Sequence, residues 1–175
     1  MVEDSGCRGG VDRTTGVKEV LPFDKSFQPR ARGMGAIESI VWDTWWHQNR
    51  NNYERFGQNV PVWVDGVPEE SRTGALDAKL DLFGCYRVDA IAGVDGNVEI
   101  IEVKETGNLT AIGQLIVYRM LYLRTYWGFS TLTLRLVCLR APPAIQFACR
   151  ELGIEISEVG EAAAHQVKLV RQGKL

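Results

Sequence analysis

The chain has 175 residues, 45 % of them apolar, enough for one compact domain with a real core. A formal net charge of -2 and a pI near 5.8 exclude an overall basic nucleic-acid binder, though not a local basic patch. The four cysteines, Cys7, Cys85, Cys138 and Cys149, form no CxxC pair and match neither zinc nor iron–sulfur spacing.

The chain starts with Glu3 and Asp4 and no apolar h-region, so no signal peptide is expected. No stretch of about 18 apolar residues is present, so no membrane span or membrane partner is expected. The expected compartment is a reducing cytoplasm.

Residues 1–33 mix Gly, Arg, Asp, Lys and Pro without period and read as an irregular N-terminal arm ahead of a domain over 34–175. The arm carries six Lys/Arg against five Asp/Glu, so it is not a basic tail. From Gly35 to Phe56 the pattern is helical, with Ile37, Val41, Trp45, Tyr53 and Phe56 at helical spacing and Trp42 and Trp46 widening the stripe. The polar run 47–52 is its exposed end or a break, and Gly57 is the predicted stop. Glu38 lies in the first turns, where a carboxylate suits the helix dipole. Residues 60–64 (VPVWV) read as a short strand, and 65–79 as a loop holding Glu69, Glu70 and Asp77.

The stretch from Tyr86 to Tyr118 organises the rest. Asp95-Gly96 between two apolar-rich runs is a strong hairpin signal. A two-residue bend makes paired residue numbers sum to 191, which sets Asp89 opposite Glu102 and Arg87 opposite Lys104. Two carboxylates so placed repel, unless a proton is shared, a cation intervenes or water solvates them. Tyr86, Val88, Ala90, Ala92 and Val94, with Ile101 and Val103, make the face expected to pack on a core. The other face is expected to open into a polar site at one end.

A helix follows from Leu109 to Tyr126, its stripe Ile112, Leu115, Ile116, Met120 and Leu123 predicted to face inward. Gln114 and Tyr118 share one face of it. Residues 131–140 alternate as a strand, and Pro142-Pro143 opens a helix over 144–152 that Gly153 stops. A strand over 154–159, a short helix over 161–164 and a strand-like HQVKLV close the chain. This order predicts an α/β fold, a mixed β-sheet with helices on both faces.

Asp89, then Glu102-Val103-Lys104, then Gln114-x-x-x-Tyr118 resembles the PD-(D/E)XK nuclease superfamily, most closely its RecB-type and phage exonuclease branches. The motif resemblance covers 86–118, with Val88 standing where the motif's name has Pro. It implies a restriction-endonuclease-like fold and catalytic roles for Asp89, Glu102, Lys104, Gln114 and Tyr118. It also implies a Mg²⁺ or Mn²⁺ site on Asp89, Glu102 and the Val103 carbonyl, with Glu38, in a Gly35-x-x-Glu38 setting, as the upstream acid. Mg²⁺ suits one or two carboxylates and keeps several waters.

The implied partner is DNA. Residues 108–150 hold five Arg and no Asp or Glu, so Arg119 and Arg124, with Arg87 on the hairpin, are candidate phosphate contacts. Lys168, Arg171 and Lys174 add charge without nearby acids in sequence. The expected function is divalent-metal-dependent hydrolysis of DNA phosphodiesters. It would be an exonuclease or a structure-selective endonuclease of recombination, repair or phage DNA processing, phage-encoded in the last case. The first alternative is a non-catalytic subunit of a phage or DNA-processing assembly, or a homo-oligomer, that keeps the fold and uses the Trp-rich first helix as an interface. The second is a nucleic-acid binder without hydrolysis.

Overall fold

The computed structural model describes residues 34–64 and 85–174. The arm over 1–33 and the loop over 65–79 lie outside the described residues.

Helix α1 (Ala36–Asn49) starts where Gly35 is extended and its N–H donates to Glu38 Oε2 at 3.2 Å. Val41, Trp42, Trp45 and Trp46 are buried on one side of it. The helix ends earlier than predicted. A 3₁₀ turn (Arg50–Asn52) follows, and β1 already begins at Arg55 and runs to Trp63. Phe56 and Gly57 therefore belong to the strand. Phe56 meets Trp46 edge-on at 4.0 Å, and the polar run 47–52 offers no apolar face to extend the helix.

β2 (Cys85–Val94) and β3 (Asn97–Thr106) form the hairpin, with Asp95 at φ 50° and Gly96 at φ 75°. Two positive φ values are the type I′ geometry that Asp-Gly favours. Pairing runs from Val94–Asn97 to Ala90–Ile101, the predicted register. α2 (Leu109–Thr125) begins at Asn108, whose side chain caps the Ala111 N–H at 2.9 Å. β4 (Thr131–Arg140), α3 (Pro143–Glu151), β5 (Ile154–Glu158) and α4 (Gly160–Arg171) complete the described chain. α4 is continuous where a short helix and a strand-like end were predicted. Ala163 and Val167, four apart, are both buried, so the apolar spacing of HQVKLV serves a helix.

The five strands lie in the order β1-β2-β3-β4-β5, antiparallel through β3 and parallel from β3 to β5. This is an α/β fold with a mixed sheet covered on both faces. α2 and α3 pack on one side with Ile91, Ile100, Leu134 and Leu136. α1 and α4 pack on the other with Ala90, Ala92, Ile101 and Val103. Two expectations are corrected here. Val88 does not share a face with Ala90 and Ala92; it joins Ile91 under α2, so the alternation slips by one step at Asp89. The inward stripe of α2 is rotated as well. Met120 and Leu123 are exposed, while Tyr118, Tyr122 and Thr125 are buried against the sheet beside Ile112 and Leu115. No helix among the described residues is long and apolar enough to cross a membrane.

A Cβ added at Gly113, the fifth residue of α2, meets nothing within 4 Å. Gly113→Ala is therefore expected to stabilise the protein by roughly 0.5–1 kcal/mol, read as a raised urea midpoint at constant slope.

Candidate functional site

Glu102 is 0 % exposed, on the middle strand of the sheet between Ile101 and Val103, which are fully buried too. It sits on β3 beside Leu136 of β4. Lys104, two residues on, places Nζ 2.6 Å from Glu102 Oε1 and 3.5 Å from Glu38 Oε1. Neither Glu102 oxygen makes a hydrogen bond of good geometry among the described residues, and the groups that face it are the Lys104 ammonium and the Asp89 carboxyl. A buried carboxylate so poorly satisfied is costly.

Asp89 comes from β2. Its expected place directly across the ladder from Glu102 is not what the fold adopts, because strand pairing ends at Ala90–Ile101. Asp89 Oδ2 instead accepts the Val103 N–H at 2.9 Å, so a side chain stands in for a backbone carbonyl of the ladder. Arg87 is likewise not paired across from Lys104; its Nη1 donates to the Asn59 carbonyl at 3.3 Å. The two acids still act on each other. Burial, then the charge of Asp89, pushes Glu102 up to about 8, against the opposing pull of Lys104. Burial also raises Asp89, outweighing the Val103 N–H and the Lys104 charge. Burial alone would lower Lys104, but Glu102, Asp89 and Glu38 together raise it.

Glu38 caps α1 with one oxygen and faces Lys104 with the other. Tyr118 is buried under α2, and burial and then the charge of Glu102 raise its hydroxyl, which accepts from Gln114 Nε2 at 3.1 Å. Gln114 Oε1 is buried without a partner among the described residues. Glu38, Asp89, Glu102, Lys104, Gln114 and Tyr118 thus form one chain of neighbours. Val103 is buried in the core under α1, and its N–H is the group that holds Asp89.

The proposed phosphate contacts are more dispersed. Arg119 is exposed, and Arg124 donates to the Val64 carbonyl at 3.3 Å, roughly 9 Å along the helix from Tyr118. Arg135 is committed elsewhere, to Glu99, Ser157 and Glu155. Arg171 is not free of acids, because it pairs with Glu105. The Glu99–Arg135–Tyr53 cluster carries no signal in sequence, since its members come from three separate elements. It differs from Glu102 in kind: Glu99 is buried but accepts from Tyr53 at 2.6 Å and Arg135 at 2.9 Å, a closed structural network.

Among the described residues no three His, Cys, Asp or Glu side chains converge into a ready cage for a metal. What the fold does bring together is three carboxylates, Glu38, Asp89 and Glu102, acting on the single ammonium of Lys104. Three negative charges and one positive leave a formal -2 when all are ionised. With Glu102 raised to about 8, the cluster reaches that charge only once Glu102 gives up its proton, and hard oxygen donors of this kind are what a divalent ion would require.

No family model and no curated protein matches the chain. Among solved structures, the crystal structure of a protein of unknown function, AF1548, aligns with 79 % of this chain and 67 % of its own, at 14 % identity and a TM-score of 0.40.

Proposed function

We propose that this chain is a divalent-metal-dependent deoxyribonuclease with a restriction-endonuclease-like fold of the PD-(D/E)XK type. The observation that carries the reading is Glu102, a fully buried carboxylate beside a second acid, Asp89, with Lys104 as its ion-pair partner among the described residues. Asp89, Glu102 and the Val103 carbonyl are the groups that would hold Mg²⁺ or Mn²⁺, with Glu38 behind them. When bound, the ion supplies charge neutralisation at the phosphoryl group and acidifies water.

The chain's own residues do the rest. Hydrolysis forms a bond from water oxygen to phosphorus and breaks the bond from phosphorus to the leaving oxygen, with negative charge building on the phosphoryl oxygens. Lys104 is the cation within reach of that charge, held in place by Glu102 and Glu38. Tyr118 and Gln114 present a hydroxyl and an amide beside it, to orient the phosphate or the attacking water. Arg119 would hold backbone phosphate away from the reacting centre, which positions a strand without reading its sequence.

The test is incubation with linear, circular and branched DNA in Mg²⁺ or Mn²⁺. Cleavage requiring the ion supports the reading, and cutting of the circle would make the enzyme an endonuclease. Absence of any cleavage on all three substrates with either ion would count against it. One observation favours a non-catalytic rival: Leu109, Val117, Met120, Leu123 and Trp127 stand exposed along and just beyond α2, a surface suited to a protein partner. That rival predicts no metal affinity lost on Asp89→Ala.

A further inference from the structure

Asn59 has no role in the motif, yet its backbone is the unusual one in β1, at φ 52°. Side chains other than glycine rarely occupy this region; asparagine tolerates it best and β-branched residues least. The ladder between β1 and β2 is regular on either side of it. Gln58 pairs with Ala90 and Val60 with Val88, while the intervening Asn59–Asp89 pair is missing.

Both strands change sides at this level. Phe56, Ala90 and Ala92 belong to the core under α1, whereas Val60, Val62 and Val88 belong to the core under α2. A strictly alternating β2 would keep Val88 on the side of Ala90. The slip falls at Asp89, whose carboxylate lies in the line of the ladder and takes the Val103 N–H. Arg87, two residues before Asp89, fastens the Asn59 carbonyl through its guanidinium. A local departure from the ladder of this kind is a recurrent way to re-aim one side chain.

We infer that Asn59 is a positioning residue: its left-handed backbone sets the paired slip of β1 and β2 that turns Asp89 from a sheet face toward Val103 and the candidate metal site. The geometric part stands on the fold alone, and its consequence for metal rests on the proposed function. Asn59 touches no substrate; it acts through Asp89.

The test compares Asn59→Gly, which keeps the left-handed conformation at no steric cost, with Asn59→Ala and Asn59→Val, which oppose it increasingly. Amide hydrogen exchange at Val103, followed by NMR in the metal-free protein, reads the Asp89 contact directly. Exchange at Val103 is expected to be about tenfold faster in Asn59→Val, intermediate in Asn59→Ala and within about twofold of the parent in Asn59→Gly. The other β3 amides should stay protected. Mn²⁺ dissociation constants should follow the same order, with Asn59→Gly rescuing binding. If Asn59→Val does not fold, Asn59→Ala against Asn59→Gly decides. Equal Val103 exchange in all variants, equal loss in Asn59→Gly, or uniform loosening of all β3 amides would overturn the inference. Failure of the parent protein to bind Mn²⁺ would instead remove the metal reading and leave the exchange result standing.

Discussion

Glu102→Gln should make the metal-free protein more stable than the parent above neutral pH, a result opposite to the usual cost of a core substitution. Glu102 is raised from its ordinary 4.5 to about 8 in the fold. The folded chain therefore keeps a proton that the unfolded chain releases between those two values. Stability from this group is complete below about pH 4.5 and is lost as pH climbs through about 8. Asp89, also raised, acts in the same direction. The loss across this window should be on the order of 2–4 kcal/mol, less than the full shift because Lys104 responds to the same charges. Glutamine has nearly the same shape and no proton to lose. Urea midpoints measured from pH 5 to pH 8 in EDTA should fall clearly more for the parent than for Glu102→Gln, in which Asp89 alone of the pair still titrates. Parallel curves for the two proteins would show that Glu102 does not carry the buried proton.

The second large effect is on cleavage. Lys104→Ala removes the cation that, among the described residues, is held against the site acids, and its loss should lower the cleavage rate constant by roughly 10²–10³. Glu102→Gln should reduce cleavage at least as much. The two losses should differ in origin. Lys104→Ala should act mainly on kcat with DNA affinity nearly kept, while Glu102→Gln should also shift the Mn²⁺ requirement upward. Single-turnover rates across a Mn²⁺ series separate these. Full-rate cleavage in either variant would mean the chemistry is done elsewhere on the chain.

How much of this was legible in the sequence depends on how local the cause is. The hairpin register is set by Asp95-Gly96, two adjacent residues with a known turn geometry, and Ala90–Ile101 pairing follows from it. The α2 boundaries follow from Asn108 and the apolar spacing after it. Where α2 turns its face is different: Tyr118 and Tyr122 outcompete Met120 and Leu123 only because the sheet lies on their side. The slip at Asp89 was hidden for the same reason, since it arises where two helical layers claim alternate ends of one strand pair. The contact of Glu38 with Lys104 joins residues 66 apart, as does that of Glu105 with Arg171. No periodicity reports such pairs. HQVKLV was ambiguous in itself, because its apolar residues suit either a short strand or one face of a helix.

The most direct test is a calorimetric titration of Mn²⁺ into the parent and Asp89→Asn proteins at pH 7, in two buffers of different protonation enthalpy. The parent should show one saturable site that releases about one proton per ion, because Glu102 must give up its proton to become a ligand. Asp89→Asn should bind at least about tenfold more weakly. A parent protein with no saturable site, or one whose affinity and proton release Asp89→Asn leaves unchanged, would contradict a metal centre built on these two acids.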